Sequence, residues 1–351
     1  MFHSIRLRRL SIDPNDDKHS VDPATAMNLN HQNETGVPLI IGEVLWDCFP
    51  DRSVLGGAPL NVAWNLRGFG LEPILLSAVG DDDLGHQALE RMQAWGLSTD
   101  AIAVLPDVAT GTVEIKLIDG EPEYDIVRDV AFDKIPTPSS NQLSAWRERI
   151  AATSRPAAIY HGSLALRAKT SSIAIKALRD GFKHEANIFY DINVRQTFFD
   201  SQGLDEFLPA TASLKCNQDE LSLITGDSAI DTAEDVKKLA RGLLGCYVEL
   251  KHLLVTMGAR GAWWFGQNPS DQVWVNAPSP SVMADPVGAG DAFASVILAT
   301  SLTCPDPDQL DIADMLTRAV TFASRVCELP GATTDDPSFY ADVLPPNAVL
   351  S

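Results

Sequence analysis

The sequence predicts an α/β fold: a largely parallel central sheet covered by helices on both faces, with a small β-sheet lid. Three observations predict it. Short, strand-like apolar runs alternate with segments of helical period along most of the chain, the pattern of repeated β-α-β units. That rhythm breaks once, at residues 101–130, where short runs stand between turn signals. The 351 residues are 45% hydrophobic, enough for a large core and too much for a disordered chain.

Residues 1–36 are polar. Arg6, Arg8 and Arg9 are followed by no apolar stretch of signal-peptide length, and Asp13, Asp16 and Asp17 break the acid-poor pattern of a transit peptide. A mobile extension is expected there, then one domain over 37–345 and a tail at 346–351. Residues 39–46 read as a buried strand, 61–66 as helix and 73–79 as strand. Residues 84–95 have helical spacing, with Leu84, Ala88, Leu89, Met92 and Trp95 on one side. Asp81, Asp82 and Asp83 suit its start. The runs 101–105, 112–118 and 124–127 are punctuated by Thr110-Gly111, Asp119-Gly120 and Pro122. Asp-Gly is a hairpin signal, so a small antiparallel lid is expected over approximately 101–130. Strand-like 157–160, 188–191 and 253–256 then alternate with helix-like 171–182, 233–244 and 292–302.

A net charge of −20 excludes binding to a nucleic-acid backbone and disfavours anionic membrane surfaces. No run of about 18 apolar residues offers a membrane span. Five cysteines without a C-x-x-C argue against a disulfide scaffold or zinc ribbon. Free thiols in a reducing cytosol, hence a cytoplasmic protein, are expected instead.

The strongest chemical segment is Ala284-Asp285-Pro286-Val287-Gly288-Ala289-Gly290-Asp291 with an apolar helix behind it. Small residues let main-chain N–H groups approach a ligand, and a helix N-terminus makes them an anion site. An Asp in the first turn serves either as a cap or as a reactive carboxylate, and this motif alone leaves both open. The chain has no G-x-x-x-x-G-K-[ST] and no G-x-G-x-x-G after its first strand, so any phosphate site is of another design. Near the other end, Gly42-Glu43-Val44-Leu45-Trp46-Asp47 closes a strand with a carboxylate, and Gly56-Gly57-Ala58-Pro59-Leu60-Asn61 follows. Asp, the glycine pair and Asn at a helix start can point into one crevice and match sugar hydroxyls. Each alone reads more readily as a turn or connector.

These two segments resemble the signatures of the PfkB (ribokinase-like) carbohydrate kinases. Val79-Gly80-Asp81-Asp82-Asp83-Leu84-Gly85, Asp191-Ile192-Asn193-Val194-Arg195, Lys215-Cys216-Asn217-Gln218-Asp219-Glu220 and Thr256-Met257-Gly258-Ala259-Arg260-Gly261 resemble the family in the same order. The resemblance runs from about Gly42 to Ala332. The phrase GEVLWDCFPDRSVLGGAPLNVA, with Gly162-Ser163-Leu164-Ala165 and residues 124–135, is similar to the fructokinase branch.

The resemblance implies an ATP-dependent sugar kinase, with fructose the expected acceptor and fructose 6-phosphate the product. Ribose, 2-keto-3-deoxygluconate or a nucleoside stand as alternatives, as does a catalytically silent sugar- or nucleotide-binding member. Carried over, Asp291 is the catalytic base. The amides of Gly288, Ala289 and Gly290 form the anion hole. Asp47, Gly57, Asn61 and, more weakly, Arg195 bind the sugar. Asn217, Thr256, Gly258 and Gly261 lie along ATP, and Glu220 holds Mg²⁺ through water. Asp285 and nearby carbonyls, Val287 among them, are where many members bind K⁺. Pro286 departs from the family's usual Thr and removes one main-chain donor. The 101–130 strands correspond to the family's lid, through which members often form homodimers.

Overall fold

The computed structural model describes residues 35–351, apart from 50, 119–120, 154, 195–203, 205, 228–229, 305, 307–308, 347, 349 and 351. The larger sheet has nine strands in the order β13-β12-β11-β10-β9-β8-β1-β4-β5. They are β1 (Pro38–Ile41), β4 (Ile74–Gly80), β5 (Ile102–Leu105), β8 (Ala157–His161), β9 (Ala186–Asp191), β10 (Ser213–Asn217), β11 (His252–Thr256), β12 (Gly261–Phe265) and β13 (Gln272–Asn276). The seven from β11 to β5 run parallel, and β12 and β13 add an antiparallel edge. Chain order reverses between β1 and β8. The carboxyl ends of the parallel strands therefore open onto a crevice at a topological switch point.

Period-2 alternation assigns each strand residue to a layer. Ile40 faces one core with Leu75 and Val79, while Leu39 and Ile41 face the other with Leu76. The first core is covered by α1 (Ala58–Gly68), α2 (Asp83–Ala94), α7 (Ala289–Thr303) and α8 (Ile312–Val326). The second takes α3 (Ser140–Ala151), α4 (Lys169–Phe182), α5 (Gln218–Thr225) and α6 (Ala233–Cys246). Helix α7 is apolar nearly all round and buried along most of its length, as a helix packed between sheet and neighbouring helices must be. It stops at Cys304, extended as residues before proline are.

A second sheet of four strands has the order β3-β2-β6-β7, with β2 (Leu45–Cys48), β3 (Ser53–Gly56), β6 (Gly111–Ile118) and β7 (Glu121–Ile126). Its composition corrects two expectations. Residues 39–46 are two strands: Gly42 turns the chain out of the large sheet, and 45–48 joins the small one. Ile102–Leu105 belongs to the large sheet, paired in parallel with β4, rather than to the lid. The lid recruits 45–48 and 53–56 in its place. A two-residue period shows that a run is a strand; its partner is decided by non-local register. The hairpin signal at Asp119-Gly120 falls on residues outside the description, between partners Ile118 and Glu121. Residues 1–34 of the polar extension expected over 1–36, and Arg195, also lie outside the described residues.

All five cysteines carry free thiols. Among the described residues no helix is long and apolar enough to cross a membrane.

Candidate active site

Helix α1 starts the site. Gly57 precedes it with φ +110, and a Cβ there would stand 2.6 Å from the Glu43 carbonyl oxygen, so glycine is required. Pro59 occupies the first turn, where its missing N–H costs nothing. Asn61 then points inward, 4% exposed. Its Nδ2 donates to Asp291 Oδ2 at 2.8 Å. Two segments 230 residues apart thus meet at one hydrogen bond.

Gly288 immediately precedes α7, with φ +83 and a Cβ position only 2.4 Å from Ala332 Cβ. Its N-cap residue is a glycine and supplies no side-chain cap, while the Asp291 side chain accepts from Asn61 of α1. The carboxylate, 8% exposed, is turned toward α1. Ala289 N–H is directed at the Pro286 carbonyl, at a long 3.3 Å. Asp285 Oδ1 accepts from Val287 N–H at 2.9 Å and closes a turn around Pro286.

This segment divides two cavities. One, of about 410 Å³, is lined by Asn217, Glu220, Thr256, Gly258 and Gly261, together with Ala289 and Gly290. The other, of about 370 Å³, lies between lid strands and the 285–287 loop and is lined by Asp47, Phe49, Asp285 and Val287. The residues expected along a nucleotide thus share the first cavity. Asp47, expected on the sugar, shares the second with the residues expected at K⁺. A further cavity of about 450 Å³ opens at the amino ends of β8–β11 and takes none of the expected residues.

Glu220 is fully committed to main chain. Its Oε2 accepts from Asn217 N–H and its Oε1 from Val194 N–H, both at 2.7 Å. Asn217 Oδ1 accepts in return from Glu220 N–H at 2.8 Å, a capping box at the start of α5. Burial raises the Glu220 pKa more than Lys215 and these amides lower it. A metal contact through water fits this carboxylate better than direct coordination. Among the described residues no group of three or more His, Cys, Asp or Glu could hold a metal ion.

One network was missed by motif reading. Lys215 Nζ donates to both oxygens of the fully buried Asp191, at 2.8 and 2.9 Å. Tyr160 O–H donates to Asp191 Oδ2 at 3.1 Å. Burial, then the charges of Asp191, Asp291 and Glu43, push the Tyr160 phenol far up, so it stays a donor. The available signal was a carboxylate ending one strand and a lysine in the middle of the next, where burial demands partners.

Residues 42–338 match the family described as pfkB family carbohydrate kinase. The chain belongs to this family. It is 27% identical over 279 residues to a fructokinase of Solanum tuberosum, covering 75% of this chain and 80% of that one. Its fold matches that of a double-mutant fructokinase from Vibrio cholerae O395 bound to fructose, ADP and a potassium ion, with TM-score 0.69, 19% identity and coverage of 89% and 99%. The aminoimidazole riboside kinase of Salmonella enterica, complexed with aminoimidazole riboside and an ATP analogue, gives 0.68, 19%, 88% and 99%. The protein is therefore a PfkB carbohydrate kinase with the ribokinase-like fold.

Proposed function

We propose that this carbohydrate kinase transfers the γ-phosphoryl group of ATP to the primary hydroxyl of fructose, giving fructose 6-phosphate and ADP. The observation that carries the reading is the 2.8 Å bond from Asn61 to Asp291, which joins the two signature segments. Asp291 accepts the proton of the attacking hydroxyl, whose oxygen forms the new P–O bond as the bond to ADP breaks. Asn61 orients the carboxylate. Amides of Gly288, Ala289 and Gly290 receive the transferred group at the α7 N-terminus. Asp47 and Gly57 hold the sugar, and Asn217, Thr256, Gly258 and Gly261 the nucleotide.

Glu220 would hold Mg²⁺, through water, and the ion would neutralise charge along the phosphates. With a net charge of −20, the protein's overall field opposes ATP, so a strong dependence on the metal is expected. K⁺ beside Asp285 and Val287 is a second expected activator, suited to a carboxylate at a turn rich in carbonyls. The lid closes over the sugar and excludes water. The working form is a cytoplasmic homodimer paired through the lid.

A nucleoside acceptor is the second reading, favoured by Phe49 in the wall of the Asp47 cavity. Trp46 does not add to it, because its Nε1 donates to the Leu84 carbonyl at 3.0 Å and the side chain is buried. An ADP-release assay over sugars and nucleosides, with and without K⁺, separates the readings. Fructose turnover well above the rest is expected. Preference for a nucleoside replaces the acceptor, and no turnover on any acceptor removes the kinase reading.

A further inference from the structure

Among the described residues lining the Asn217–Gly290 cavity, Lys215 carries the one cationic side chain. Its position is fixed from two sides. The β9–β10 register sets it directly opposite Asp191. On the other side, a Cβ on Gly290 would stand 3.3 Å from Lys215 Nζ. The ammonium therefore lies against the first turn of α7, beside the residue that precedes Asp291.

An ammonium has three protons to donate. Two go to the Asp191 oxygens at 2.8 and 2.9 Å, and the third is at the disposal of a ligand in the cavity. Burial by itself would pull the Lys215 pKa down, but Asp191, Glu220 and Asp291 outweigh it and hold it above the ordinary lysine value. The charge is thus present at neutral pH. It is also needed there. Asp191, Glu220 and Asp291 are all buried carboxylates close enough to act on Lys215, and a phosphoryl group entering the cavity would otherwise meet repulsion.

We propose that Lys215 is a further catalytic residue, whose third ammonium proton bonds the γ-phosphoryl group as it is transferred. Asp191 and Tyr160 are positioning residues: the carboxylate clamps the ammonium, and the Tyr160 hydroxyl, at 3.1 Å, fixes the carboxylate. The proposal rests on the ATP-dependent kinase reading, and it explains how an acidic crevice receives an anion. It also gives Gly290 a second purpose, since a side chain there would crowd the ammonium.

The test replaces the pair together, Lys215→Met with Asp191→Asn, so that no lone charge stays buried. Binding of ADP and of a non-hydrolysable ATP analogue is measured by calorimetry with Mg²⁺, and thermal unfolding is followed in parallel. A contact to the γ-phosphoryl group predicts a folded variant whose affinity for ADP is within about threefold of the parent. Affinity for the analogue should fall about 10- to 100-fold, and kcat about 100-fold or more. Equal losses for both nucleotides, or an unchanged ratio, overturn the proposal. Should the pair variant fail to fold, Lys215→Gln keeps donors for Asp191 without the charge and reads the same ratio. The ratio needs no acceptor, so a wild-type protein that phosphorylates nothing would sink the kinase reading separately.

Discussion

Tyr160 and His161 are adjacent in β8, yet they serve opposite faces of the sheet. Tyr160 packs on Phe189 and joins Asp191 and Lys215. His161 stacks on Tyr190 and meets Arg179 from α4, with Arg179 Nη1 3.0 Å from His161 Nε2. Arg179 also donates to the Pro209 carbonyl at 2.7 Å and to Thr211 Oγ1 at 3.3 Å. Each of these two networks therefore holds a buried cation, Lys215 in one and Arg179 in the other. On the crevice face the cation is clamped by a carboxylate and stays charged. On the far face it is held by a neutral ring, a carbonyl and a hydroxyl. Both arrangements satisfy buried polar groups. Only the first keeps strong opposite charges beside a cavity, where a reacting group can use them. Substitutions on the crevice face should damage chemistry more than folding, and those on the far face the reverse.

The largest effect is expected for Asp291→Asn, with kcat lowered by about 100-fold or more and thermal stability nearly unchanged. Near-parental turnover would move the base elsewhere and break the crevice side of the comparison. Glu220→Gln comes next. Both of its oxygens accept main-chain N–H bonds, and an amide offers one acceptor and one donor. Denaturant unfolding should show a loss of about 1–3 kcal/mol. The Mg²⁺ concentration needed for half-maximal rate should also rise. A stability loss with an unmoved metal titration would make Glu220 a purely architectural residue. Asp47→Ala should raise KM for the sugar about 10- to 30-fold and leave KM for ATP nearly unchanged. Parallel rises in both would remove Asp47 from the sugar side.

Much of the crevice face was legible in the sequence because its parts are local. Gly288 to Asp291, Asn61 behind the glycine pair and the Asn217–Glu220 box are each set within one helix start. The fold class was legible for the same reason, through strand and helix periods. What escaped depends on register. Asp191 and Lys215 lie 24 residues apart and meet only because β9 and β10 pair in parallel with these two residues opposed. Strand Ile102–Leu105 was misassigned to the lid because its period does not reveal that β4 is its partner. Residues 39–46 read as one strand until β6 offers a ladder to 45–48, and 53–56 then pairs with 45–48 in turn.

The smallest effect tests the far face through pH. His161 Nδ1 lies 3.0 Å from the Gly162 carbonyl, which fits a proton on Nδ1 and a lone pair on Nε2 toward Arg179. Burial, and then the Arg179 charge, lower its pKa from 6.5 to about 3. The unfolded chain therefore binds a proton below pH 6.5 that the folded protein refuses until about pH 3. Stability from this group is complete above pH 6.5 and is lost as pH falls through that window. One pH unit below the unfolded value the loss is about 1.4 kcal/mol. His161→Asn keeps an acceptor for Arg179 and removes the titration, so its stability should fall less steeply between pH 7.5 and 5.5. Its kcat at pH 7.5 should stay within about twofold of the parent. A parallel pH slope would mean that His161 is charged in the fold. A large loss of kcat would mean that the two faces are coupled through β8, and that the charge on the crevice side depends on the neutral network behind it.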